Sequence, residues 1–392
     1  MSPATLSPLT TSTEFNVLIA CARVNASSDE LRSCFERVRD WQGLSELALR
    51  HGMLPLMYSS ILRARPKVPR SALGELQSIN RANAEKSIRL TAALLRILAV
   101  LNAEGVFAVP FKGPLLSQDA YGDLTMRNFQ DLDLLVAKPQ AVQASEVLAS
   151  HGFLREHQYS ASRPSGEEEF HHMLRRDGIT VELHWQTGPP YVPAAFQDGE
   201  LLERSRPCTL LGRPVQTLDP ADLLLALCIH GYAHRWSQLE HVATLARVLA
   251  RGEFGDSAAF LRNARSRGAL RRCLVGLLLA NRLAGAQLSL DFQRALKSDR
   301  IVDCLASKAR LFDSSPGFVG PRLGAAVWRG AALDKPTDGL RMIALQILAP
   351  RDQDVVDAKS SRLRVAPLIR LRRLLASVCM RRRARRRSSG SS

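Results

Sequence analysis

A small α+β core set between two helical regions is the fold class that the sequence predicts, and three observations predict it. Apolar residues recur at helical spacing through the N-terminal part and again beyond Asp219. Between these stretches lie short apolar runs bounded by Gly, Pro and Asp, as strands are. One such run turns back on itself at an Asp-Gly dipeptide, which selects a two-residue hairpin.

The elements follow in order. Residues 1–12 are rich in Ser, Thr and Pro and are expected to be disordered. In WQGLSELALRHGMLPLMYSSILRA, which starts at Trp41, Leu44, Leu47 and Ala48 and then Leu54, Leu56 and Met57 fall on helical faces, with Gly52 and Pro55 punctuating two helices. A longer amphipathic helix is expected over 76–103, after Pro69. Residues 106–111 are short and apolar between Gly105 and Lys112-Gly113, and read as a strand entering a tight turn. Pro114 suits the first turn of a helix that runs to Tyr121, and Gly122 suits its stop. DLDLLV, residues 131–136, reads as a second strand, after which Pro139 opens a helix that Gly152 closes and Phe153 begins another extended piece. HHMLRR and ITVELHW flank Asp177-Gly178, so a type I′ turn pairs Arg176 with Ile179, Leu174 with Val181 and Met173 with Glu182, and sets His171 opposite His184. Helices resume in DPADLLLALCIHGYAHRWSQLEHVATLARVLAR and over 257–283, with shorter pieces to about Leu348. The division expected is a disordered 1–12, a helical 13–103, an α+β core at 104–216, a helical domain at 217–376 and a basic tail at 377–392.

Composition narrows the class further. At 46% apolar the chain suits a packed globular protein and not a disordered or collagenous one. The formal charge of +17 is unevenly spread: residues 360–392 hold 11 Arg and no Lys, Asp or Glu, which leaves the body only mildly basic. Over 362–387, Leu, Ile and Val alternate with Arg. That pattern suits a helix on an anionic membrane, an arm on nucleic-acid phosphates, or a solvated extension. Aromatics at 6% argue against a base-stacking platform and so against template reading. No apolar run reaches the roughly 18 residues of a spanning helix, so no transmembrane segment is expected. The start lacks the charged and apolar regions of a secretory signal. Seven scattered cysteines without a CxxC pair argue against a disulfide framework and a thiolate zinc site. A cytoplasmic protein is expected.

The chemistry lies in the strands. Side chains alternate along a strand, so Asp131 and Asp133 share a face, about 6 to 7 Å apart at their Cα atoms. Two carboxylates so placed repel unless a cation lies between them, and hard divalent ions prefer such oxygen ligands. Glu182 shares its face with Thr180 and His184, while Val181 and Leu183 point the other way. If the hairpin neighbours the Asp strand, Glu182 becomes a third carboxylate beside the pair. With a Lys-Gly turn closing the preceding strand, the set suits phosphoryl or nucleotidyl transfer. His171 and His184 are either structural or substrate-contacting. A His/His/Glu zinc site is the weaker reading, because His230 and His234, at i and i+4, have no acid between or beside them.

The stretch FAVPFKGPLLSQDAYGDLTMRNFQDLDLLV, with ASEVLASHGFL and VELHW after it, resembles the nucleotidyltransferase family proteins of the polymerase-β-like superfamily. Substrates in this branch are largely undefined. The similarity covers about residues 40–376, including HGMLPLMY and LCIHGYAHRW. It implies a nucleotidyltransferase core in which Asp131 and Asp133 hold Mg2+ or Mn2+. Glu182 would be the third acid, binding a second metal or accepting the acceptor's proton. Lys112 and Gly113 stand where the superfamily usually has a Gly-Ser turn on the triphosphate, and Arg127 would meet phosphate or buttress the Asp strand. The branch has a pattern like W-x-x-L-x-W-x-x-D where this chain has Trp236, Leu239, His241 and Thr244, so a weakened interdomain or substrate contact is expected at Thr244. The implied activity is metal-dependent transfer of a nucleoside monophosphate from an NTP to a small molecule, peptide or protein, with pyrophosphate released. The alternative is a non-catalytic nucleotide-sensing or partner-binding module.

Overall fold

The computed structural model describes residues 12–156, 171–186, 196, 199–312 and 322–348. The tail at 362–387, with its membrane and nucleic-acid readings, and residues 1–11 lie outside them.

Four short helices open the described chain: α1 (Thr13–Ala22), α2 (Ser28–Phe35), α3 (Trp41–Arg50) and α4 (Leu54–Ala64). Their starts carry the expected chemistry. Ser27 and Glu30 form a reciprocal capping box on α2, and the Asp40 carboxylate accepts from the Gly43 N–H on α3. Helix α5 spans Arg70–Ala103 and begins directly after Pro69, earlier than periodicity predicts, because its first turns are largely exposed and carry no apolar stripe. At 34 residues it is about 51 Å long. Leu76 packs into the helical body, and Leu90, Leu94, Ile97 and Leu101 pack under the sheet, so one rigid rod fixes the two cores relative to each other.

The core then runs β1 (Ala108–Pro110), α6 (Gly113–Tyr121), β2 (Asp131–Val136), α7 (Ala141–Ser150), β3 (Leu154–Glu156), β4 (His171–Arg176) and β5 (Ile179–His184). The five strands form one mixed sheet in the order β1-β2-β5-β4-β3, in which only β2 and β5 are parallel. Asp177 and Gly178 both take positive φ, 49° and 72°, and the hairpin register is the one expected, with His171 opposite His184. Strand pleating divides the residues by face. Leu132, Leu134, Val136, Val181 and Leu183 pack with α5 and α7, whereas Val109 and Leu135 join the helical body. Asp131, Asp133 and Glu182 are therefore on the face opposite α5 and α7, with Leu135, which joins the helical body.

After α8 (Glu200–Glu203), a second hairpin, β6 (Arg206–Leu210) with β7 (Arg213–Thr217), was not anticipated. Pro207 and Pro214 disguise the strands, and the turn uses Leu211 at φ 50° before Gly212 at 73°, where Asn or Asp is the usual signal. The remaining helices are α9 (Pro220–Ala233), α10 (Leu239–Arg251), α11 (Ser257–Ser266), α12 (Leu270–Ala284), α13 (Leu290–Ser298), α14 (Ile301–Ser307), α15 (Arg322–Ala331) and α16 (Pro336–Leu348). Within 257–283, Gly268 at φ 64° separates α11 from α12. Helices from both ends of the described chain share a core: the Val24 N–H donates to the Ala284 carbonyl, and Arg247 donates to that of Ala22.

Trp236 locks α9, α10 and α12 together. Its ring is fully buried, and a Cβ added at Gly231 would lie 2.4 Å from it, one added at Gly276 2.8 Å. Gly231→Ala is therefore expected to destabilise the fold by about 1–3 kcal/mol through overpacking. At Gly74, inside α5, a Cβ meets nothing within 4 Å, so Gly74→Ala should stabilise by about 0.5–1 kcal/mol. Urea unfolding of the two variants checks the pair. Equal effects would show that Trp236 does not define the packing.

Candidate active site

Strand β1 delivers Lys112 to the site through a turn that favours glycine. Gly113 has φ 58°, the left-handed region that strains a side chain, and the turn lies in contact with the start of β2. Pro114 then starts α6. From this turn Lys112 Nζ donates to Asp133 Oδ1 at 2.9 Å, and Asp133 is only 4% exposed at its side chain.

The parallel register places Asp131 beside Thr180 and Asp133 beside Glu182. His184, two residues along β5, presents Nε2 at 3.1 Å from both Asp133 Oδ1 and Glu182 Oε2. Its ring is held between His171, stacked at 5.0 Å, and Phe111, edge-on at 5.5 Å. Asp133, Glu182 and His184 each offer a ligand atom, all within 4.8 Å of one another. Asp131, the residue paired with Asp133 in the sequence reading, lies outside that closest group but belongs to the same electrostatic cluster.

Burial and the charges of Asp133 and Glu182 push the Asp131 carboxyl up to about 6. Burial acts the same way on Asp133, yet the Lys112 ammonium and the His184 N–H outweigh it and hold Asp133 well below the usual carboxylate range. Glu182 is also lowered: burial opposes its charge, but the His184 hydrogen bond overrides it. His184 rises despite burial because two carboxylates accept from it. Three acids thus crowd one sheet face with one lysine and one imidazole against them, and a divalent cation would relieve the repulsion remaining at Asp131. The carboxylate oxygens of Asp131, Asp133 and Glu182 are donors of the kind that suit Mg2+ or Mn2+, whereas the His184 imidazole beside them suits softer ions.

Arg127 is placed by the loop before β2. Its backbone carbonyl and that of Thr125 accept from Asn83 Nδ2 of α5, at 3.3 and 2.9 Å. Its guanidinium is turned to Glu240 of α10, with Nε at 2.5 Å from Oε1 and Nη2 at 3.4 Å from Oε2. Thr244 Oγ1 donates to the same Glu240 oxygen at 2.5 Å. That uses its one proton, so the Tyr121 hydroxyl, 2.8 Å away, donates to Thr244. The Glu240 N–H in turn donates to the His51 carbonyl at 3.1 Å. The bridge to Glu240 ties the loop before the Asp strand to α10. At Thr244, where a weakened contact is expected, the threonine hydroxyl makes one hydrogen bond to each side.

Glu240 is the residue that sequence reasoning missed. Glu240, Thr244 and Arg247 recur at i, i+4 and i+7 and read as an ordinary solvated stripe. Only tertiary packing turns the stripe inward against Tyr121 and Arg127.

Among described residues, no helix is long and apolar enough to cross a membrane. Cys21, Cys34, Cys208, Cys228, Cys273 and Cys304 are free thiols. No curated protein matches the chain. Among solved structures, the chain is similar to an antigenic nucleotidyltransferase-like protein from Paracoccidioides brasiliensis, at 17% identity and a TM-score of 0.32, over 54% of this chain and 93% of that one. Residues 37–285, which hold the five-stranded sheet and both ends of the Arg127–Glu240 bridge, match the family model described as uncharacterised nucleotidyltransferase, and with more than half of its length in that match the chain belongs to this family.

Proposed function

We propose that the protein is a metal-dependent nucleotidyltransferase that moves a nucleoside monophosphate from an NTP to an acceptor and releases pyrophosphate. The observation that carries this reading is the parallel pairing of β2 with β5, which sets Glu182 beside Asp133 on the face that also holds Asp131. Asp131, Asp133 and Glu182 are the residues that would hold Mg2+ or Mn2+, with His184 on the shared edge of the last two. Bound there, such ions would neutralise phosphate charge and lower the barrier to attack at the α-phosphorus.

The chain's own groups divide the remaining work. An acceptor oxygen forms a bond to the α-phosphorus as the bond to the bridging oxygen breaks, and pyrophosphate leaves with that electron pair. Glu182, ionised at neutral pH because His184 donates to it, takes the acceptor's proton. Lys112 and the Gly113 turn, at the N-terminus of α6, meet the phosphates, and Lys112 exchanges its bond to Asp133 for one to the nucleotide. Arg127, committed to Glu240, is a positioning residue for the Asp strand.

The test is pyrophosphate release from each of the four NTPs with Mg2+ or Mn2+ and a cell extract as acceptor source. Release that stops on adding chelator and returns with the metal is the expected result. Silence with every NTP, together with no metal-dependent NTP binding by calorimetry, would leave the non-catalytic module as the reading.

A further inference from the structure

Three histidines that the acid face does not use stand together at the α9–α10 junction. His230 lies in the last turn of α9, His234 is its C-cap and His241 lies in the first turn of α10. Their ring centroids are 4.5 Å (His230 to His234), 5.0 Å (His230 to His241) and 5.7 Å (His234 to His241) apart. His234 is exposed, the other two are half-buried, and His241 Nδ1 is buried without a hydrogen-bond partner among the described residues.

The charges around the cluster decide what it suits. Lys112 acts on all three rings, Arg127 on His230 and His241, and Arg329 on His234, while Asp133 and Glu182 are felt at His234 and Glu240 at His241. Burial, with these cations, keeps all three imidazoles below their ordinary range, His241 at about 4. Each is therefore a neutral ring with an N–H to give. A metal cation is disfavoured twice over: the charges of Lys112, Arg127 and Arg329 would act against it, and the ring nitrogens do not converge. The only His, Cys, Asp or Glu group among the described residues that does converge is Asp133, Glu182 and His184. An anion meets the opposite conditions. Lys112 binds Asp133 directly and its charge is felt at all three rings, so the acid face and the histidine cluster share one cation.

We propose that His230, His234 and His241 form, with Lys112, a subsite for the β- and γ-phosphates of the NTP and for the pyrophosphate that leaves. The proposal rests on the nucleotidyltransferase reading above and extends it to the helical layer. It gives a role to three residues that zinc spacing alone could not explain, since none of them needs an acidic partner to bind phosphate.

The experiment separates the subsite from the chemistry. Tripolyphosphate is titrated into wild-type protein in excess EDTA, followed by calorimetry, and compared with His234→Glu, His234→Arg and His241→Gln. His234 is exposed, so its substitutions should leave the melting temperature unchanged. His234→Glu is expected to weaken tripolyphosphate about tenfold to a hundredfold, the scale of a charge-assisted hydrogen bond. His234→Arg should match or exceed wild type, and KM for the NTP should follow the same order. Equal affinity in wild type and His234→Glu, or no tripolyphosphate binding at all, overturns the subsite. So does stoichiometric Zn2+ binding that His234→Glu abolishes, which would make the cluster a metal site. If tripolyphosphate binding tracks His234 but no pyrophosphate is ever released, the transfer reading falls and the subsite stands. Release with a KM indifferent to His234 gives the reverse.

Discussion

Asp133→Asn is expected to reduce pyrophosphate release by about a thousandfold or more while the protein stays folded, because the amide keeps the shape of the carboxylate and removes its charge. A thousandfold loss corresponds to about 4 kcal/mol of barrier, within the range of one charge lost from a buried site. Asp133 is the residue to choose because two cationic partners meet on it: Lys112 at 2.9 Å and His184 at 3.1 Å, both on Oδ1. Asparagine can still accept from Lys112 through its carbonyl, so an unfolded protein is not the expected result. Asp133→Ala is the harsher change. It leaves a half-buried lysine and a buried imidazole without their shared acceptor, which costs stability as well as charge. A second readout separates charge from shape. His184 is raised by its carboxylate partners, so in Asp133→Asn its titration, followed by NMR of the ring protons, should move to lower pH. Asp133→Asn that turns over at near the wild-type rate, with His184 shifted, would remove Asp133 from the chemistry and with it the proposed metal face.

The acid face was legible in the sequence because strand geometry is nearly deterministic over short distances. Alternation alone put Asp131 with Asp133, and the Asp177-Gly178 turn alone put Glu182 with His184 and His171 opposite. What these rules left conditional was the adjacency of β2 and β5. That pairing is parallel and joined by a crossover through α7, a long-range choice that no turn encodes. The helical layer was legible as helices and not as contacts. The periodicity of α10 marks an apolar face, but which polar residue of its other face is buried depends on Tyr121 and Arg127 arriving from more than a hundred residues away. The turn at Leu211-Gly212 failed for a local reason, since leucine rarely takes a positive φ and gives no hint that it does so here.

That hidden contact carries the second large effect. Glu240→Ala is expected to destabilise the protein by about 3–5 kcal/mol, because it strands the Arg127 guanidinium in a site where both side chains are nearly dry, 12% and 6% exposed. The loss should belong to the unpaired charge and not to the bridge as such. Arg127→Met/Glu240→Leu, which removes both charges and keeps apolar volume, should therefore recover most of it, and the double-variant cycle measures the difference. Acid gives an independent check. Burial works to raise the Glu240 carboxyl, but the charge and hydrogen bond of Arg127 hold it at about 2, against 4.5 for an unperturbed glutamate. A depressed carboxyl stabilises the fold fully above its unfolded value, and that stability is lost as pH falls through the folded one. Wild-type stability in urea should thus decline between about pH 4.5 and 2 by up to about 3 kcal/mol from this group. Glu240→Gln should lack that part of the decline, being weaker at neutral pH and closer to wild type near pH 2. If the Glu240→Gln and wild-type curves run parallel through that window, the carboxylate is not the charge that ties α10 to the Asp strand. Arg127 would then be available to phosphate, the role that the sequence left open for it.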